Sequence, residues 1–222
     1  MQAFAKILKT AIERAGSEAA LRQHLPAAKS ADELRAVGDD RYLSLMSLRV
    51  FRAGLKHSVV DAKWPAFEEI FMGFDPRRVR AMNDEQIEAL MGDTRLIRHG
   101  PKLRSVQKNA AAVCAVAAAH GSVGAYLADW PSDNIVGLWQ DIAKRFSQMG
   151  GNSGPYFLRM AGKDTFVLTP FVQRALEHWG AIDGPPKGKT GQALVQDAFN
   201  AWAAETGRPL CELSMILARS VD

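Results

Sequence analysis

The sequence predicts an all-α fold. Apolar residues recur at three-and-four spacing along most of the chain, and stretches rich in Val, Ile and Thr with strict alternation are nearly absent. Alanine is abundant throughout, with seven in the ten residues Ala110 to Ala119. That run is half the length a bilayer span needs, roughly 20 apolar residues, and reads as a buried helix. With 222 residues, 47% of them hydrophobic and 23% charged, the chain can bury a sizeable core.

The first helix follows from Phe4, Ile7, Leu8, Ala11 and Ile12, which share one face, while Lys6, Lys9 and Glu13 take the wet side. Ser17 ahead of Ala20 and Leu21 starts a second, short helix that ends before Pro26. Ser30 with Glu33 three residues later is a capping-box signature for a third. Asp39 or Asp40 can cap the next helix, which carries Tyr42, Leu45, Met46, Leu48 and Val50 and breaks at Gly54. Val59 restarts a helical pattern, and Trp64-Pro65 is expected to open another through Phe67, Ile70 and Phe71. Asp75-Pro76 and Asn83-Asp84-Glu85 are two further helix starts. Arg98 to Pro101 connects to a long Ala-rich helix over 102–120.

Val123 to Leu127 and Ile135 to Phe146 are the next helical runs, and the second ends at Met149-Gly150-Gly151-Asn152-Ser153-Gly154-Pro155. After Leu158 and Met160, Gly162-Lys163-Asp164 turns the chain into Thr165 to Thr169, and Pro170 starts a helix through Leu176. Gly184 to Gly191 is a basic, breaker-rich segment expected to be a solvated loop. Its Gly-Lys-Thr lacks the preceding strand and the spacing of a nucleotide P-loop. Leu194 to Trp202 and Pro209 to Ala218 complete the helices.

Twenty-eight Lys+Arg against 24 Asp+Glu leave a net charge of +4, which permits an anionic partner without demanding one. Cys114 and Cys211 lie far apart with no Cys/His spacing nearby, so neither a disulfide scaffold nor a cysteine zinc site is expected. Lys6, Lys9, Glu13 and Arg14 interrupt the N-terminus, which lacks the apolar stretch of a signal peptide. A cytoplasmic monomer that does not engage membranes is the expectation.

The glycine-rich turn at 150–154 is the most informative local feature. Glycines let backbone N–H groups converge, and a following helix N-terminus adds positive potential, which together seat a phosphate. The same turn serves equally well as a tight helix–helix connection that binds nothing. Arg49 and Arg52 on a helix are ordinary rim side chains as much as pocket groups, and Lys102, Arg104 and Lys108 are either a phosphate-contacting stripe or plain surface charge.

Four blocks, Leu48 to Leu55, Phe67 to Phe71, Phe74-Asp75-Pro76 and Leu96 to Leu103, resemble the 3-methyladenine DNA glycosylase I family in order and spacing. Met149 to Arg174 is similar to the helix-hairpin-helix and following loop of the wider DNA glycosylase superfamily. The resemblance implies one two-lobed glycosylase-like domain over 1–222 with a cleft between the lobes. Residues 1–38 would be an N-terminal helical extension, 39–120 the first lobe, and 121–222 the helix-hairpin-helix region. It also implies hydrolysis of the N-glycosidic bond of an alkylated base such as 3-methyladenine in double-stranded DNA, after the base is flipped from the stack. Leu55 would be the DNA wedge with Arg52 beside it, Phe51 and His57 would line the base pocket, and Gly151, Asn152, Ser153, Gly154 and Lys102 would hold phosphate.

The departures from the family pattern are specific. Arg49 stands where the family places a pocket glutamate, and His57, a smaller ionisable ring, replaces a stacking tryptophan. Thr169 stands at the superfamily's catalytic aspartate and can position water without acting as a carboxylate base. Arg49 and Thr169 are therefore the candidate catalytic positions. Pro155 or Tyr156 occupies the place of a Schiff-base lysine, so the enzyme would be monofunctional. No cofactor is expected, the family's zinc ligands have no counterpart, and the hairpin carbonyls can hold a monovalent cation. The alternative function is a non-catalytic helix-hairpin-helix protein that recognises damaged or distorted duplex.

Overall fold

A computed structural model describes residues 1–222, and α-helices and short 3₁₀ turns make up all of its regular structure. In chain order the helices are α1 (Phe4–Ala15), α2 (Glu18–Arg22), α3 (Ala31–Arg35), α4 (Asp39–Arg52), α5 (His57–Ile70), α6 (Pro76–Arg80) and α7 (Asp84–Ala89). They continue as α8 (Gly100–His120), α9 (Val123–Asp129), α10 (Ile135–Arg145), α11 (Ser153–Ala161), α12 (Pro170–His178), α13 (Gly188–Thr206) and α14 (Leu210–Arg219). No single helix is long and apolar enough to cross a membrane.

The residues group into two compact units. One comprises Met1–Lys29, Pro131–Leu138 and Gly162–Asp222; the other comprises Ser30–Trp130 and Trp139–Ala161. Both are discontinuous in sequence, so packing does not follow the serial division at 38 and 120.

The second unit is built around α4 and α8, which pack on each other. Phe51 on α4 meets Phe67 on α5 edge-on at 4.6 Å between ring centroids. Trp64 stacks on Phe67 and Phe74, and Phe71 adjoins both phenylalanines. Such aromatic pairs contribute on the order of 0.5–1.5 kcal/mol each beyond the area they bury. Polar groups at the edge of this cluster are satisfied. The Trp64 indole donates to Ser44 Oγ, which donates to Glu68, and Glu68 also takes two hydrogen bonds from Arg41. The Tyr42 hydroxyl, buried with its ring, donates to the Leu34 carbonyl at 2.7 Å. Helix α9 lies so close to α3 that a Cβ on Gly124 would sit 2.4 Å from the Leu34 carbonyl oxygen, which explains glycine there.

In the first unit α1, α13 and α14 pack together. Phe166 stacks on Phe199 at 4.0 Å, and Phe199 and Phe4 both meet Trp202. Asp164 accepts from the Leu210 and Cys211 amides and so closes the N-terminus of α14.

Most helix starts follow the sequence signals. Ser17 caps α2, Ser30 with Glu33 and Asn83 with Gln86 form capping boxes, and Asp75 precedes Pro76 at the first position of α6. Three differ. Asp39 does not cap α4. Its carboxylate instead accepts from the Val123 amide at the start of α9, and Gly38 occupies the α4 cap position. Pro65 lies inside a continuous α5 rather than opening a new helix. The segment 188–191 is the first turn of α13, not loop, because Gly188 at φ 62° turns the chain into the helix.

Candidate functional site

The site lies in the second unit, where α4 ends. The last turn of a helix leaves carbonyls without intrahelical donors, and here a lysine from another helix meets them. Lys102 Nζ on α8 donates to the Ala53 carbonyl at 2.6 Å and to the Phe51 carbonyl at 3.3 Å. Beyond the cap, Gly54 takes φ 75° and Leu55 and Lys56 lead into α5. The left-handed glycine turns the chain back within a few residues, which brings the end of α4 and the start of α5 to one place.

A hollow of about 600 Å³ opens there, lined by Arg49, Arg52, Ala53, Gly54, Leu55, His57, Tyr156 and Met160. That volume falls within the ~300–1,000 Å³ typical of small-molecule sites. Tyr156 and Met160 come from α11, which packs on α4. Arg49 and His57 therefore border one cavity, together with two residues of the helix that follows the glycine turn.

The charges in this hollow are unevenly compensated. Arg52 forms an ion pair with Asp61 at 2.7 Å. Arg49 has no carboxylate partner; its guanidinium lies over the Tyr156 ring at 4.8 Å, and its buried Nε makes no hydrogen bond. Burial, then proximity to Arg52, holds the Arg49 pKa below its ordinary value; its contact with Tyr156 acts the other way. Lys102 is lowered too, by burial and then by Arg49. No Asp or Glu lines the cavity. Leu55, which lines the hollow, is 40% exposed.

The glycine turn has a defined geometry. Gly154 N–H donates to the Met149 carbonyl, Ser153 N–H to the Gly150 carbonyl, and Tyr156 N–H to the Asn152 carbonyl. Gly151 takes φ 58°, and a Cβ on Gly154 would lie 3.1 Å from the Met149 carbonyl oxygen. Gly150, Gly151 and Asn152 are exposed, so the tip faces solvent as α11 begins behind it. The turn is pinned from one side by Asn109 of α8, whose fully buried side chain donates to the Ser147 carbonyl at 3.1 Å and accepts the Ser147 amide at 2.7 Å. Asn109 follows Lys108 and stands immediately ahead of the alanine run of α8, and a short amide at that border, on the buried side with Val106 and Val113, is the signal that marks it. The turn holds no charged side chain, and its Met149, Gly150 and Asn152 carbonyls each accept one N–H.

Of the sequence-predicted residues, Arg49, Arg52, Leu55 and His57 come together at the hollow, and Gly151, Asn152, Ser153 and Gly154 form the turn that leads into α11. Phe51 does not line the hollow. It is fully buried in the aromatic cluster, because the α4 face that carries it turns toward α5. Lys102, expected at a phosphate, is 9% exposed, and its ammonium is held by the α4 carbonyls. Thr169 is the N-cap of α12, where its Oγ1 accepts the Val172 amide, and this accounts for the residue without a role at the hollow.

A larger hollow of about 860 Å³ is lined by Asp39, Asp40, Arg41, Arg77 and Cys114 among others. Its carboxylates are already committed, Asp39 to the Val123 amide and Asp40 to Arg41. We therefore assign the chemistry to the smaller one.

The family model for methyladenine glycosylase matches residues 34–149. A DNA-3-methyladenine glycosylase of Haemophilus influenzae is 38% identical over 65 residues, a stretch covering 29% of this chain and 35% of that protein. The chain thus spans about a third of the length of that relative. Among solved structures, a mutant of 3-methyladenine DNA glycosylase I from Staphylococcus aureus matches with a TM-score of 0.52 and 22% identity, over 64% of this chain and 83% of that one. An 8-oxoguanine glycosylase/lyase from Methanocaldococcus jannaschii, solved with DNA, matches with a TM-score of 0.51 and 12% identity over 96% of this chain and 95% of its own. Those two likenesses establish a shared helical fold. The family match covers more than half of the sequence and includes the end of α4, the hollow's His57 and the approach to the glycine turn: this chain belongs to the methyladenine glycosylase family.

Proposed function

We propose that the protein is a monofunctional DNA repair glycosylase that hydrolyses the N-glycosidic bond of an alkylated or otherwise damaged base in duplex DNA. The observation that carries this reading is the hollow, where Arg49, His57 and Tyr156 line a space large enough to admit a base, with Leu55 exposed at its edge. A base inside the duplex stack is out of reach, so the nucleotide must swing out, and an aliphatic side chain that enters the gap offsets the lost stacking. Leu55 fits that task, with Arg52 held beside it by Asp61.

The exposed tip of the turn, Gly150 to Asn152, supports a phosphate seat, since it stands at the N-terminus of α11. In the reaction the bond from C1′ to the base nitrogen breaks and the electron pair leaves with the base. Water oxygen bonds to C1′ and one of its protons stays on the new hydroxyl; the other ends on the base when the base was uncharged in the duplex, and goes to solvent when the base was cationic and so leaves neutral. No carboxylate borders the hollow, so acceleration rests on extrusion, positioning and stabilisation of the departing base rather than on a strong general base.

The test is a release assay on duplexes that each carry one damaged base, 3-methyladenine included. Free base and an abasic site are expected from at least one of them. Ala53→Trp, which puts a bulky ring at the wall of the hollow, should slow that release at least about tenfold, or ~1.4 kcal/mol in the barrier. Absence of release across the panel would reject the enzyme reading. The second reading, a non-catalytic protein that binds distorted duplex, draws on the uncompensated charge of Arg49, and tight damaged-duplex binding with a blank panel would favour it.

A further inference from the structure

We infer that Arg49 sets the substrate class of the hollow: it accepts a damaged base that is uncharged and presents an oxygen acceptor, and it rejects a base that carries a positive charge. This rests on the glycosylase reading and narrows it.

The first argument is the charge inventory. Arg52 is neutralised by Asp61, but Arg49 is not paired, and the wall holds no acid that a cationic base could use. Lys102 adds a second cation close enough to act on Arg49's neighbourhood, and its own contacts are neutral carbonyls. A guanidinium remains protonated in any protein environment, so partial burial does not remove the charge. A ring that arrives with a positive charge meets an uncompensated like charge in a partly desolvated space, where screening by water is weak.

The second argument is geometry. The Arg49 guanidinium lies over the Tyr156 ring, 4.8 Å from its centroid, and borders the hollow with no carboxylate to occupy its donors. A planar fork of this kind matches a base edge with a carbonyl oxygen and a ring nitrogen, the pairing by which arginine reads guanine.

The third is the course of the reaction. When an uncharged base departs, the glycosidic electron pair gives it a developing negative charge, part of it on the carbonyl oxygen. A donor fixed in advance at that oxygen strengthens as the charge grows. When a cationic base departs, its charge falls to zero, and Arg49 has nothing to stabilise.

The experiment compares single-turnover release from duplexes that contain hypoxanthine or 8-oxoguanine, both uncharged with carbonyl edges, and 3-methyladenine or 7-methylguanine, both cationic in DNA. Each rate is divided by spontaneous loss from the same duplex, because cationic bases leave faster unaided. The uncharged pair should show an enhancement at least about tenfold greater. Arg49→Glu should reverse the order, and Arg49→Gln should flatten it. A larger enhancement for the cationic pair in the wild-type protein overturns the inference and leaves the glycosylase reading intact. Release of nothing overturns the glycosylase reading, and duplex affinity then decides for the hollow: tighter binding of the uncharged lesions, lost in Arg49→Glu, upholds the selectivity, and equal affinity overturns it.

Discussion

Arg49 and Lys102 sit near one another and have opposite relations to the sequence. At Arg49 the spacing to Gly54 marks the position in the sequence, and the structure puts its side chain at the border of the hollow. At Lys102 the sequence suggests an available cation, and the structure buries it. The ammonium closes the end of α4, about fifty positions earlier in the chain, and no local pattern announces a cap donated by a distant helix. Loss of that buried, charge-assisted contact leaves two carbonyls without a donor. Lys102→Met should therefore lower stability by roughly 2–4 kcal/mol in denaturant titration. The same variant should leave the slope of log affinity for DNA against log salt unchanged, whereas loss of a phosphate contact reduces it by about one. Phe51 teaches the same lesson from the apolar side, since its one-residue offset from Arg52 turns it into the aromatic cluster rather than the cavity.

At the scale of elements, the helices are legible because their signals are local. Ser30 with Glu33, Asp75 with Pro76 and the three-and-four apolar spacing need nothing beyond a few residues of context. What escapes is pairing between elements. Asp39 resembles a cap for its own helix and serves another, and Pro65 is tolerated within α5 where the sequence suggests a start. The glycine turn is half legible: its residues stand out, but the anchor does not. Asn109 holds both backbone groups of Ser147, so Asn109→Ala should orphan two buried polar groups and cost about 2–3 kcal/mol. If the turn seats phosphate, that variant should also weaken duplex binding beyond what its stability loss explains, and binding measured well below its melting temperature checks this. Retention of wild-type affinity would show that the anchor and the phosphate seat are independent.

At the scale of the whole chain, two discontinuous units emerge where chain order suggests three successive segments, because α-helical packing joins stretches distant in sequence. Composition restricts little here: a net charge of +4 allows DNA without requiring it. The proposed function requires a protein that takes one nucleotide out of a duplex, and this is the claim on which the rest depends. Fluorescence of 2-aminopurine placed beside a damaged base in a duplex tests it most directly, since stacking quenches the probe. Addition of the wild-type protein should raise the emission several-fold, and Leu55→Gly should blunt the rise. Saturated binding with emission unchanged would contradict the account.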